Sequence, residues 1–191
     1  MNLRRALVGL AAPALLLAAP GSAGAAAAAP AAPADPFAAC ASRDAYPKTR
    51  MTTELVGMPE KMTAGTWTPF TFRVKNTSNG ALKAVGVQVD AGATQYAPVR
   101  EDRKTVVQWW DWTARRWQPV PPGHLAFQAV PMYVKAGAVK DVKMRIQVSG
   151  GAGEALGEVI EAGRYITAGN TCGYANTMHL YPFTVAPKPA A

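Results

Sequence analysis

The sequence predicts an all-β protein, an antiparallel β-sandwich of seven to nine strands, on three observations. Apolar and polar residues alternate with period two in three separate runs, which puts one face of each on a core and the other in water. Turn signals rich in Gly, Pro and Asn separate these runs at short intervals, as in a sandwich. No convincing amphipathic helix of ten or more residues breaks the pattern.

The chain begins with the order of a cleavable leader. Arg4 and Arg5 form a positive start, Ala6 to Ala19 is apolar except at Gly9 and Pro13, and Ala23 and Ala25 stand in the A-x-A arrangement that a signal peptidase reads. Residues 1–25 are therefore expected to be a signal peptide cut near Ala25, and the product to be secreted. The apolar stretch is shorter than the roughly 20 residues a membrane span needs. No other stretch approaches that length, so no transmembrane segment is expected after cleavage. Cys40 lies too far beyond the apolar run for a lipoprotein signal. Residues 26–51 read as a spacer and lead-in. Pro30, Pro33 and Pro36 recur every third residue in the Ala-rich part, 26–39, and would interrupt a helix, so this part is expected to be disordered.

The strand region spans 52–187, followed by a short tail, 188–191. Phe70, Phe72 and Val74 alternate with Thr71, Arg73 and Lys75. Val85, Val87 and Val89 alternate with Gly86, Gln88 and Asp90, and Val142, Met144, Ile146 and Val148 with Asp141, Lys143, Arg145 and Gln147. The apolar members are expected inside; Arg73, Lys75, Gln88, Lys143 and Arg145 are expected in water. Weaker strands are expected near Leu55–Met58, Thr105–Trp112, Leu125–Val134, Glu158–Thr167 and Met178–Val185. Asn79-Gly80, Pro119 to Gly123, Ala136-Gly137 and Ser149 to Gly153 supply the turns. The Gly-rich Ser149–Gly153 is no phosphate loop, because no Lys-Ser/Thr and no helix complete it.

The run Ala64-Gly65-Thr66-Trp67-Thr68-Pro69-Phe70-Thr71-Phe72-Arg73-Val74-Lys75-Asn76-Thr77-Ser78 resembles the opening hairpin of immunoglobulin-like modules in bacterial exported proteins. Lys135-Ala136-Gly137 and the strand Val139–Ser149 are similar to the second half of such modules, and the Ala-rich leader and spacer resemble those of small exported proteins of high-GC, actinobacterial-type bacteria. The likeness covers residues 52–186. It implies an immunoglobulin-like sandwich outside the cell with a structural, adhesion or binding role, and little about chemistry.

The segment Val106 to Trp117 departs from that pattern by its density of tryptophan. Alternation puts Gln108, Trp110 and Trp112 on one face and Val107, Trp109 and Asp111 on the other, with Arg115 and Arg116 near a hairpin tip. A sandwich strand has one inward face, so at least one of Trp109, Trp110, Trp112 and Trp117 is expected to meet solvent. Two readings follow. The rings seal an end of the sandwich with Arg stems stacked on them, or they form a carbohydrate-binding platform, since an indole offers a flat apolar face and an N–H donor.

Two cysteines follow the leader, Cys40 and Cys172, and an even count in an exported chain reads as a disulfide. Closing so long a loop stabilises by at most roughly 4–5 kcal/mol. No catalytic constellation is visible, and no enzyme is expected. His124 reads as a turn residue and His179 as a core or rim residue, neither beside a carboxylate or nucleophile in sequence. Glu101-Asp102 and Glu158/Glu161 read as solvated charges. Met58, Met62, Met178 and His179 are softer copper-type ligands, but core packing accounts for the methionines; no metal or cofactor is expected. Cleavage removes Arg4 and Arg5 from the 20 Lys+Arg, against 12 Asp+Glu, leaving a net charge of about +6. The cations are scattered and no nucleic-acid motif accompanies them. The expected partners are a cell-wall glycan or another surface protein. Asn76-Thr77-Ser78 is a glycosylation sequon, relevant in a glycosylating host.

Overall fold

A computed structural model describes residues 36–45, 49–123, 126–151, 153–175 and 178–188. The expected signal peptide, the spacer up to residue 35, the turn residue His124 and residues 189–191 of the tail lie outside the described residues. After a short 3-10 helix, Pro36–Ala39, the order is β1 (Ser42–Arg43), β2 (Met51–Val56), β3 (Lys61–Thr63), β4 (Thr68–Asn76) and β5 (Leu82–Gln95). There follow β6 (Glu101–Arg103), β7 (Thr105–Asp111), β8 (Arg116–Pro119) and β9 (Gln128–Val130). The last four are β10 (Val139–Val148), β11 (Ala155–Thr167), β12 (Thr171–Tyr174) and β13 (His179–Ala186).

These strands make the two sheets of a β-sandwich. One is antiparallel throughout, in the order β2-β4-β10-β7-β8. The other is built on the long antiparallel pair of β5 and β11, which runs from Ala155 opposite Gln95 to Thr167 opposite Leu82. The far edge of β11 is shared by β12 and β13, and that of β5 by β6 and β9. β1 and β3 add in parallel to β12 and β13. The strand segments exceed the expected seven to nine because short pieces divide single long edges between them.

The inward set agrees with the alternation. Phe70, Phe72 and Val74, Val85, Val87 and Val89, and Val142, Met144, Ile146 and Val148 are all buried, with Val159, Tyr165, Phe183 and Val185 completing the core. Lys75 and Lys143 are exposed. Three expected solvent residues need correction. Gln88 is buried although it lies on the outward side of β5; two residues along that side, the Gly123 N–H donates to Asp90 Oδ1 at 3.2 Å. Arg73 and Arg145 are only partly exposed, each held by side-chain partners.

The end of the segment expected to be disordered, Pro36–Ala39, forms the 3-10 helix, and the lead-in after it carries β1. Phe37 is buried with Ile166 and Cys172, and β1 joins β12. Cys40 and Cys172 form the disulfide, with Cα atoms 5.8 Å apart. The Tyr165 hydroxyl donates to Asp44 Oδ2 at 2.7 Å, and Arg50 pairs with the same oxygen at 2.6 Å. Burial first, then that donated bond and the Asp44 charge, push the Tyr165 hydroxyl up to about 12.

The sequon asparagine is a structural part. Asn76 is fully buried; its Nδ2 donates to the carbonyls of Gly80, Val134 and Lys135 at 2.8–3.1 Å, and its Oδ1 accepts from Ser78 N–H and Oγ–H. Nδ2 is the atom a glycan would occupy, so the folded chain presents no acceptor here.

Candidate functional site

The outward face of the five-stranded sheet gathers aromatic rings from two separate stretches of sequence. Trp67 stands just before β4, Trp110 on β7, Trp112 in the turn that follows, and Trp117 on β8, opposite Trp110 in register. Two-residue alternation explains the split along β7: Val107 and Trp109 are buried in the core, whereas Gln108 and Trp110 lie outward. Trp110 meets Trp112 edge-on at 6.1 Å between centroids and Trp117 at 5.4 Å. Trp112 is 63% exposed.

The cations on these rings come from β10, not from the hairpin. Arg145 lies between two indoles, its Cζ 4.1 Å from the Trp67 centroid and 4.3 Å from that of Trp117. Its Nε and Nη2 both donate to Gln108 Oε1, at 2.9 and 2.7 Å. Lys143 Nζ lies 4.9 Å from the Trp112 centroid. Arg115 and Arg116, expected to stack, are exposed in the β7–β8 turn and at the start of β8; Arg115 takes a positive φ of 50°, and the Asp111 carboxylate holds the turn by accepting from Thr113 and Ala114 N–H. Sequence reasoning missed Trp67, Lys143 and Arg145 as members of this face. Their common signal was position: Lys143 and Arg145 are outward members of β10, and β10 pairs with both β4 and β7.

Charge is unevenly placed on the face. Toward β2, Arg73 forms a paired contact with Asp141 at 2.9 and 3.0 Å and reaches Glu54 at 3.6 Å. Toward Trp112, among the described residues, no carboxylate lies in ion-pair range of Lys143 or Arg145. Beside Trp112 a cleft of about 60 Å³ opens between Trp110, Asp111, Met132 and Asp141.

A second polar cluster sits where the sandwich opens between β2 and β13. Glu161, expected to be solvated, is fully buried, because it falls on the inward side of β11 with Val159 and Tyr165. Its Oε1 lies 2.9 Å from Nδ1 of half-exposed His179, its register partner on β13. Burial raises the Glu161 carboxyl above its usual range; His179 and Thr53 act against that rise, and Glu54 adds to it. His179 also lines an open groove of about 460 Å³ with Thr52, Thr53, Glu54, Arg73 and Lys75. The pair orients an imidazole, and a carboxyl-held imidazole is a proton acceptor in principle. Of the suggested soft ligands, Met62 is buried and Met58 packs on the core, but Met178 is exposed rather than a core residue. Among the described residues no group of three or more His, Cys, Asp or Glu side chains is placed to hold a metal ion.

No protein-family model and no curated protein matches the chain. Solved structures similar to it include AvmM, which catalyses macrocyclisation in alchivemycin A biosynthesis, at 13% identity and a TM-score of 0.45, covering 74% of this chain and 92% of that one. A native α-2-macroglobulin fragment from Escherichia coli is 14% identical, with a TM-score of 0.40 over 72% of this chain and 16% of that one. The CooA pilin subunit of enterotoxigenic Escherichia coli is 10% identical, with a TM-score of 0.38 over 72% of this chain and 99% of that one. Among the described residues no helix is long and apolar enough to cross a membrane.

Proposed function

We propose that the chain is exported and acts outside the cell as a non-catalytic immunoglobulin-like domain, binding a cell-wall glycan or a surface protein through the outward tryptophan face. One observation carries the reading: Trp112 is exposed at the end of a ladder in which its neighbours are already engaged. Trp110, Trp117, Trp67 and Arg145 satisfy one another, so the sealing role accounts for them. It does not account for Trp112, which touches Trp110 and Lys143 and yet leaves most of its ring in water. The disulfide supports export, because such bonds persist in oxidising compartments. The carbohydrate reading is favoured over a protein partner by the same ring, a single flat surface rather than a wide apolar patch.

The test is Trp112→Ala. Stability should change by less than about 0.5 kcal/mol, as for an exposed side chain, while retention on envelope material from the producing organism should fall at least tenfold. Unchanged retention would sink the binding role of this face.

A further inference from the structure

We infer that the ligand of this face is an acidic polysaccharide, with sugar rings stacked on Trp112 and acidic groups against Lys143 and the Arg115–Arg116 turn. The inference rests on the reading of the tryptophan face as a binding surface and adds the ligand's charge. Trp112 is set nearly perpendicular to Trp110, at 83°, and Lys143 approaches its ring, so the indole has a fixed orientation before any ligand arrives. A pyranose presents a flat array of C–H groups that matches such a ring, and a linear anion without rings does not.

The charge side comes from how the carboxylates of the face are spent. Asp141 lines the cleft beside Trp112, but its carboxylate is paired with Arg73, which also reaches Glu54. Asp111 Oδ1 accepts two backbone N–H groups, at 2.9 and 3.1 Å, inside its own turn. The cations near Trp112 have no such answer: Lys143 is exposed, with three N–H donors and no carboxylate in range among the described residues, and Arg115 in the turn and Arg116 at the start of β8 are exposed without an ion pair among the described residues. A neutral glycan would use the ring and leave these cations idle. An acidic glycan uses both, and the attraction speeds encounter as well as holding the complex.

The experiment titrates the full exported chain, by tryptophan fluorescence, with polygalacturonate and with the same polymer methyl-esterified, which keeps the rings and removes the charge. Hyaluronate and a single-stranded oligonucleotide are run in parallel. Polygalacturonate or hyaluronate should bind at least tenfold more tightly than the esterified polymer, and the advantage should shrink as salt rises. Lys143→Gln should erase most of that advantage, and Trp112→Ala should weaken every polysaccharide at least tenfold. Equal binding of acidic and esterified polymers, both lost in Trp112→Ala, overturns the acidic preference and leaves the binding face standing. Polysaccharide binding that Trp112→Ala leaves intact overturns both. Tighter binding of the oligonucleotide than of any polysaccharide, or no binding of any acidic polymer, overturns the proposal.

Discussion

Each sheet lays an arginine on aromatic rings on its outward side, and the two stacks end differently. On the eight-stranded sheet, Arg164 Cζ lies 3.8 Å from the Phe37 centroid and 5.0 Å from that of Phe127, which in turn meets Tyr174 at 5.8 Å. The arginine runs over Gly86, its cross-strand neighbour, where an added Cβ would come within 2.7 Å of Arg164 Cγ. Phe37 comes from outside the sheet and is pinned there by burial and by the disulfide at Cys40, which directly follows its 3-10 helix. On the five-stranded sheet the rings come from the strands and their turns, and no described segment folds over Trp112. The physics of cation on ring is the same in both. Where a flanking segment folds back, the stack closes a surface; where none does, it presents one.

The comparison breaks most visibly if the closed stack does not depend on its covalent anchor. Replacing both Cys40 and Cys172 by Ala should cost about 4 kcal/mol, because the bond closes a loop with a sequence separation of 132 residues. Denaturant unfolding measures it, and quenching of Trp112 in the native state should be unaffected. A loss below about 1 kcal/mol would mean that packing of Phe37 alone holds the lead-in.

The open stack should yield a smaller number. Arg145→Ala removes contacts with two indoles and two hydrogen bonds to Gln108, from a side chain that is only partly buried. About 1–2 kcal/mol is expected, together with easier quenching of Trp67 and Trp117 by a soluble quencher. A change below about 0.3 kcal/mol with unchanged quenching would show that the ladder stands without its arginine.

The two stacks also differ in how far sequence reveals them. Period two gives the inward residues of β4, β5 and β10 directly, because each strand has a polar partner face to contrast with. The same rule splits Trp109 from Trp110 and Trp112. It fails at Gln88, which is buried on the outward side, since alternation separates the two sides of a sheet and not what packs on each. It is silent on β1, β3, β6, β8 and β12, which are two to four residues long and too short to show a period. Glu161 was within reach of the rule, since Val159, Glu161 and Tyr165 share one parity, although a carboxylate by its charge points to water. Arg145 and Trp67 were not, because their meeting depends on the β4–β10 pairing, which no local pattern announces.

The smallest effect separates the stacks from the interior. Neither depends on titration near neutral pH, since arginine stays protonated throughout, so the pH response of stability above the carboxylate range should come from between the sheets. There Glu161 meets His179 from β13, Thr53 from β2, and Glu54 more distantly. Its folded-state pKa is raised, chiefly by burial. A raised pKa means that the folded state binds the proton more tightly than the unfolded chain does. The stability this confers is complete below the unfolded value, near 4.5, and is lost as pH climbs through the folded value. Glutamine keeps the shape of the protonated carboxyl and cannot ionise. Glu161→Gln should therefore be more stable relative to wild type at pH 8 than at pH 5, with the gap opening across that interval, while Arg145→Ala should show a constant deficit at both. Denaturant midpoints at the two pH values measure this. An equal Glu161→Gln difference at pH 5 and pH 8 would mean that His179 keeps the carboxylate ionised at no cost, and that the opening of the sandwich is as indifferent to protons as its two faces.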